Sequence, residues 1–270
     1  MINLMKDLLV DKKSGEQIKV KVGDCIIGGD KKIIISGPCT IESEEILNNI
    51  AVNLKKIGVD ILRGGAFKPR TSPYDFQGLH MDGLKILHNV GKENNMPTVS
   101  EIMDPRDLDE ALKYIDMIQI GSRNMYNYSL LKEVGKLNIP VLLKRGMSAT
   151  ISEWLYAAEY IMSEGNMNVV LCERGIRTFE HYTRNTLDLN VVAVVKENYR
   201  LPVIVDPSHG TGLRQLVPRM CIAALGSGAD GLIIESHINP DNSISDAKQT
   251  VSINTVEDII KKVHKIENII

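Results

Sequence analysis

NVVLCERG (residues 168–175) has a form that decides the fold: a short β-branched run closed by polar or glycine residues. The same form recurs in IIISGPC (33–39), VDILRGG (59–65), PTVSEI (97–102), MIQIGSR (117–123), PVLLKRG (140–146), PVIVDPSH (202–209) and GLIIESH (231–237), making eight runs. Near-continuous apolar runs of this length suit parallel strands buried on both faces. Helix signals fill the intervals. Ser43 with Glu44 and Glu45 opens one helix and Gly58 closes it, and Asp104-Pro105 sets Pro at a first helical position. Thr150-x-x-Glu153 forms a capping box, and Thr255-x-x-Asp258 is read as opening the terminal helix. Eight strands alternating with helices predict an α/β fold, a (β/α)8 TIM barrel. An open doubly wound sheet is the alternative, and it has no reason to stop at eight. Residues 17–29 (QIKVKVGDCIIGG) read as two short strands, a β-hairpin extension at the N-terminal end of the barrel. No linker interrupts the pattern, so residues 1–270 are expected to form a single barrel domain, with 1–30 as its N-terminal extension.

Composition excludes several classes of function. Hydrophobic residues at 43% and charged residues at 24% describe a globular chain with enough apolar side chains for a full core. The 32 Lys and Arg nearly balance the 34 Asp and Glu, so no bulk field draws the chain to nucleic acid or an acidic membrane. No apolar run reaches membrane-spanning length, and the start of the chain is too charged for a signal peptide. Cys25, Cys39, Cys172 and Cys221 form no CxxC pair, which fits reduced thiols in a cytoplasmic protein.

In such a barrel the chemistry sits at the C-terminal ends of the strands. There the sequence sets Cys39, Arg63, Lys68, Glu101, Arg123, Lys144, Arg174, His209 and Glu235. One polar residue at a strand end is ordinary loop chemistry; ionisable groups at strand end after strand end point to a site. Alternation adds an expectation. With Cys39, Lys144, Arg174, His209 and Glu235 facing the mouth, Ile35, Leu142, Cys172, Val205 and Ile233 should point into the barrel.

Two chemistries share that face. GGAFKPRTSPYDFQG (64–78) places Lys68 and Arg70 in a stretch too broken for a helix, in a chain of net charge −2. Glycine lets the backbone approach a ligand and proline fixes the turn, as a small-anion pocket requires. With Arg63, Arg123, Lys144 and Arg174, six cations converge on one mouth, where they would repel one another without a polyanionic ligand. The second set is Cys39, His209, Glu235 and Asp246 of SISDAKQT, a mixed soft and hard donor set for a divalent metal. Their spacing matches no local zinc motif, so only the barrel brings them together. Cys39 alone would read as a small buried hydrophobe.

GPCTIES, LRGGAFKPRTSPYDFQG, IGSRNM, LLKRGM, CERGIRT, DPSHGTG, IIESH and SISDAKQT, in that order, resemble the 3-deoxy-D-arabino-heptulosonate-7-phosphate (DAHP) synthases. The likeness is to the compact type I form without a regulatory domain. It implies a (β/α)8 barrel and a transferase that opens the shikimate pathway of chorismate and aromatic amino-acid biosynthesis. The metal ligands it implies are Cys39, His209, Glu235 and Asp246, holding one divalent ion: manganese, iron, zinc or cobalt. Phosphoenolpyruvate contacts fall on Arg63, Lys68, Arg123, Lys144, Arg174 and His209, and erythrose 4-phosphate contacts on Lys68, Arg70 and Thr71. Catalytic roles fall on Lys68, His209 and Cys39, with Lys68 relaying a proton to the new alkoxide. The implied reaction is an aldol-type condensation without a Schiff base. The methylene carbon of phosphoenolpyruvate attacks a metal-polarised aldehyde, water adds to the neighbouring carbon, and phosphate leaves by carbon–oxygen cleavage.

The resemblance further implies a homo-oligomer, dimer or tetramer; charge balance and the lack of an apolar span predict no nucleic acid or membrane partner, and the few residues flanking the barrel predict little inhibition by Phe, Tyr or Trp. The nearest alternative is 3-deoxy-D-manno-octulosonate-8-phosphate synthase, which uses arabinose 5-phosphate; its relatives carry KANRSS where this chain has KPRTS. A non-catalytic barrel acting as a binding subunit is the alternative of another class, and it would be expected to have lost a ligand. A Schiff-base aldolase would use Lys144 and leave the four-ligand set unexplained.

Overall fold

The structure, a computed structural model, describes residues 7–70 and 72–267. Thr71 therefore lies outside the described residues. After a 3-10 turn at Lys12–Ser14 comes an antiparallel hairpin, β1 (Val20–Val22) and β2 (Cys25–Ile27), whose Val20, Val22 and Ile27 are buried. A Cβ added at Gly23 would sit 3.1 Å from Pro97, and one at Gly28 3.1 Å from Pro202. Those prolines lead into two barrel strands, so the hairpin covers the N-terminal end, opposite the expected site.

Eight parallel strands follow: β3 (Ile33–Gly37), β4 (Ile61–Arg63), β5 (Thr98–Glu101), β6 (Met117–Ile120), β7 (Val141–Lys144), β8 (Val169–Glu173), β9 (Val203–Val205) and β10 (Gly231–His237). Each pairs with the next, and β10 pairs with both β9 and β3, which closes the barrel. A two-residue strand, β11 (Val251–Ser252), adds to β10 outside the ring and was not expected. The helices are α1 (Glu44–Lys56), α2 (His80–Glu93), α3 (Leu108–Ala111), α4 (Tyr128–Gly135), α5 (Ile151–Ser163), α6 (Asn190–Asn198), α7 (Pro207–Thr211), α8 (Val217–Gly226) and α9 (Ile253–Glu267).

Local chemistry explains their limits. The Ser43 hydroxyl accepts from the Ile46 N–H to start α1, which buries Leu47, Ile50, Ala51 and Leu54 along one stripe. Thr150 and Glu153 form both bonds of the capping box on α5. Asp104 caps a 3-10 turn, Pro105–Asp107, that leads into α3. The terminal helix departs from expectation. α9 begins two residues before Thr255, and the Ser252 hydroxyl caps it by accepting from the Thr255 N–H at 3.2 Å.

Paired residues on parallel strands point to the same face, so the register determines which side chains look inward. The ladder pairs Ile233 with Ile35, Ile35 with Ile61, Arg63 with Val99, and Glu101 with Gln119. It continues through Gln119 with Leu142, Lys144 with Cys172, Cys172 with Ile204, and Ile204 with Gly231. Two-residue steps along each strand close this ring on itself. Ile35, Leu142, Cys172 and Ile233 thus share the inner face with Lys144, Arg174 and Glu235. Val205 does not. Ile204 and Asp206 take the inner positions of that strand, and Val205 faces the helices. The expectation failed because His209 lies on α7, not on the strand, and period two does not run through a helical turn.

Candidate active site

The C-terminal ends of the strands surround one cleft lined by Arg63, Lys68, Arg70, Arg123, Lys144 and Arg174, the six expected cations. The protein itself neutralises part of the set. Arg63 Nη1 lies 3.0 Å from Glu235 Oε1, Lys144 Nζ 2.6 Å from Asp206 Oδ2, and Arg70 Nε 3.5 Å from Asp75 Oδ2. Mutual repulsion is therefore smaller than the sequence implied. Among the described residues, Arg123 and Arg174 have no carboxylate within ion-pair distance, and Arg174 donates only to the Gly175 carbonyl. Burial pulls the Arg174 guanidinium below its ordinary value, and the neighbouring Arg184 adds to the effect. An anionic ligand between Arg123 and Arg174 would meet cations that the fold has left without a counter-charge.

Alternation also resolves the KR and ER pairs. Lys144 and Arg174 point inward, while Arg145 and Glu173 point outward and form a buried pair at 3.1 Å, with Asp188 at 2.9 Å from the same Arg145 nitrogen. This outer network ties the ends of β7 and β8 beneath the anion pocket.

Beside the cleft, and reaching it through Asp246, lie Cys39, Glu235 and Asp246, whose ligand atoms are all within 4.8 Å of one another. His209 stands beside this trio but outside that set, with Nε2 3.5 Å from Glu235 Oε1. The Cys39 thiol donates to Asp246 Oδ2 at 3.2 Å, and Lys68 Nζ lies 2.9 Å from the sulfur. Burial, aided by Glu235 and Asp246, pushes the Cys39 thiol up to about 12 against the pull of Lys68 and Arg63. Burial also acts to raise the Glu235 carboxyl, yet His209, Arg63 and Lys68 outweigh it and hold the group well below the usual carboxylate range. Burial keeps the His209 imidazole below its ordinary value, against Asp206 and Glu235, so the ring is neutral near pH 7. One thiol, one neutral imidazole and two carboxylates fit a first-row divalent ion, with the thiol proton leaving on binding. Asp246 sits at φ +51°, left-handed for a non-glycine residue, and such strain collects at functional sites.

Several cleft residues carried no assigned role in the sequence. Glu101 was visible as a strand end; in the structure its carboxyl faces the cleft, accepts from Gln119 Nε2 at 3.1 Å, and is raised by burial. Arg184 reaches from the loop after β8 to Asp246 Oδ1 at 3.1 Å and to Gln249 Oε1 at 2.8 Å, and Gln249 in turn donates to Glu235. Nothing local marks Arg184 or Gln249. Asp206 was legible only as the residue before Pro207 in DPSH.

The DAHP synthetase I family profile matches residues 10–270. The chain belongs to that family. Among curated family relatives, it is 45% identical over 251 residues to a phospho-2-dehydro-3-deoxyheptonate aldolase of Thermotoga maritima, covering 93% of this chain and 74% of the relative. The crystal structure of the DAHP synthase from Thermotoga maritima superimposes with a TM-score of 0.94 at 43% identity, over 98% of this chain and 78% of that one. A truncated form of the Thermotoga enzyme gives 0.90 at 40% identity, with 96% of both chains covered. A more distant relative is the 2-dehydro-3-deoxyphosphooctonate aldolase of Francisella tularensis subsp. holarctica, 27% identical over 270 residues, with 93% of this chain and 97% of the relative covered. The family's barrel is the one the eight strand runs predicted.

Proposed function

We propose that this chain condenses phosphoenolpyruvate with erythrose 4-phosphate and water, giving DAHP and phosphate, with one divalent metal ion. The observation that carries the reading is that the cleft holding the unneutralised Arg123 and Arg174 is also lined by His209 and by Asp246, whose carboxylate belongs to the Cys39–Glu235–Asp246 trio. One half suits a phosphorylated carboxylate and the other a Lewis acid. Family membership and the Thermotoga relative's name support the same assignment.

Arg63, Lys68, Arg123, Lys144, Arg174 and His209 bind and orient phosphoenolpyruvate, presenting its methylene carbon to the aldehyde. Lys68, Arg70 and Thr71 receive erythrose 4-phosphate. Cys39, His209, Glu235 and Asp246 hold the metal, which when bound polarises the aldehyde. Lys68, beside Cys39 and the trio, is positioned to hand a proton to the new alkoxide. Lys144 Nζ is engaged by the buried Asp206 carboxylate at 2.6 Å and is not presented to a carbonyl carbon as the nucleophile of a Schiff base would be. KPRTS at 68–72 supports erythrose 4-phosphate over arabinose 5-phosphate as the aldose.

Residues 1–270 are proposed as one barrel unit working as a homo-oligomer, dimer or tetramer, which solution scattering tests. The four cysteines are unpaired, in keeping with a cytoplasmic setting, and among the described residues no helix is long and apolar enough to cross a membrane. Phosphoenolpyruvate loss measured with each aldose phosphate in turn tests the activity. Consumption with erythrose 4-phosphate is expected; consumption only with arabinose 5-phosphate, or with neither, overturns the reading.

A further inference from the structure

Asp206, the last residue before α7, is fully buried. Its Oδ2 lies 2.7 Å from His209 Nδ1 and 2.6 Å from Lys144 Nζ, while Oδ1 accepts from the His209 backbone N–H at 2.9 Å. Every group facing this carboxylate can act as a donor. Lys144 and the helix N–H demand acceptors, so the imidazole proton belongs on Nδ1, where an ionised carboxylate receives it. Nε2 is then left with a lone pair, 3.5 Å from Glu235 Oε1 on the side of the metal trio. The opposite tautomer would set a bare Nδ1 lone pair against Oδ2 and aim a proton at the cation position.

We propose that Asp206 is a positioning residue that fixes His209 as the Nδ1–H tautomer and so makes Nε2 available to a divalent cation. The inference deepens the metal-dependent reading of the cleft and rests on it. A carboxylate behind a ligating histidine sets ring orientation and ligand basicity, and its loss typically weakens metal binding ten- to a hundredfold. Asparagine serves badly in either orientation. With its oxygen at the Oδ2 position, its NH2 opposes the His209 N–H that begins the helix. With its oxygen at the Oδ1 position, the NH2 confronts Lys144 and donates to Nδ1, which forces the proton to Nε2.

The test needs neither substrate nor turnover. Long-range proton–nitrogen NMR on the metal-free protein, with the His209 signals identified by their loss in His209→Gln, reads the tautomer directly. The wild-type ring is expected to carry its proton on Nδ1, and Asp206→Asn is expected to lose that state. Calorimetric titration with Mn2+ alone should show Asp206→Asn raising the dissociation constant about ten- to a hundredfold. In a His209→Gln background the same exchange should leave the constant where His209→Gln put it. A wild-type ring protonated on Nε2, or a tautomer unchanged in Asp206→Asn, overturns the proposal. An equal loss of Mn2+ affinity in both backgrounds also overturns it, because Asp206 would then act through the fold and not through His209. A tautomer that responds as expected in a protein that binds no Mn2+ upholds the positioning of His209 and defeats the metal reading instead.

Discussion

Replacing Arg70 by alanine should separate the two substrates. Arg70 is the cation of KPRTS nearest the outside, its side chain 29% exposed and paired at 3.5 Å with Asp75 of the same loop. A guanidinium fork on a phosphate contributes about 3 kcal/mol through charge-assisted hydrogen bonds. Binding first requires Arg70 to leave Asp75, a part-exposed pair worth at most about 1 kcal/mol. The net loss in Arg70→Ala is therefore about 2 kcal/mol, or roughly thirtyfold in affinity for erythrose 4-phosphate. Phosphoenolpyruvate should be nearly unaffected, because Lys144 and Arg174, buried to 4% and 3% exposure, and Arg63 behind them are untouched. Steady-state kinetics with each substrate varied in turn decides the matter. A comparable rise in both Michaelis constants would show that Arg70 serves the shared pocket or its folding. The companion exchange Asp75→Asn removes the competing carboxylate and should lower the constant for erythrose 4-phosphate, by up to about fivefold.

Cys39→Ser should give a folded barrel that is nearly inactive, because a neutral hydroxyl replaces the one soft anionic donor; EDTA should abolish wild-type activity and divalent ions restore it, and full activity of metal-free enzyme would contradict this. The Cys39 thiol, pushed up to about 12 mainly by burial, must lose its proton to ligate a metal, so metal affinity measured by calorimetry should climb about tenfold per pH unit between pH 6 and 8, with proton release visible as a buffer-dependent heat. The sign for stability is opposite: the raised thiol stabilises the metal-free fold below its unfolded value of 9.0, and that contribution is lost as pH rises from there toward 12, which alkaline melting curves will show. Gly121→Ala would place a Cβ 2.0 Å from Glu101 Oε1, so the carboxyl must move within the cleft; kcat should fall on the order of a hundredfold while the melting temperature changes little, and unchanged kcat would remove Glu101 from the chemistry.

What the sequence by itself determined is the repeat and its polarity. Eight apolar runs closed by polar or glycine residues are legible because strands buried on both faces need no alternation, and because loop chemistry begins where the ladder stops. The caps at Ser43 and Thr150 were equally legible, since a cap bond spans three residues. Period two carried Ile35, Leu142, Cys172 and Ile233 to the inner face correctly. It failed at Val205, where a helical turn stands between the strand and His209. It was silent on Arg184 and Gln249, which reach the site from loops. The Thr255 cap was misplaced because Ser252 three residues earlier offers the same hydroxyl, and only the path out of β11 chooses between them.

Tertiary structure alone decided the partners of the charges. Arg63 meets Glu235 across 172 residues and Lys144 meets Asp206 across 62, while Arg123 and Arg174 are left open. The physical reason is range. Propensity, capping and periodicity act over a few residues, whereas an ion pair or a ligand set depends on strand register and barrel closure. Side chains that are remote in the chain become neighbours only once the eighth strand has paired with the first.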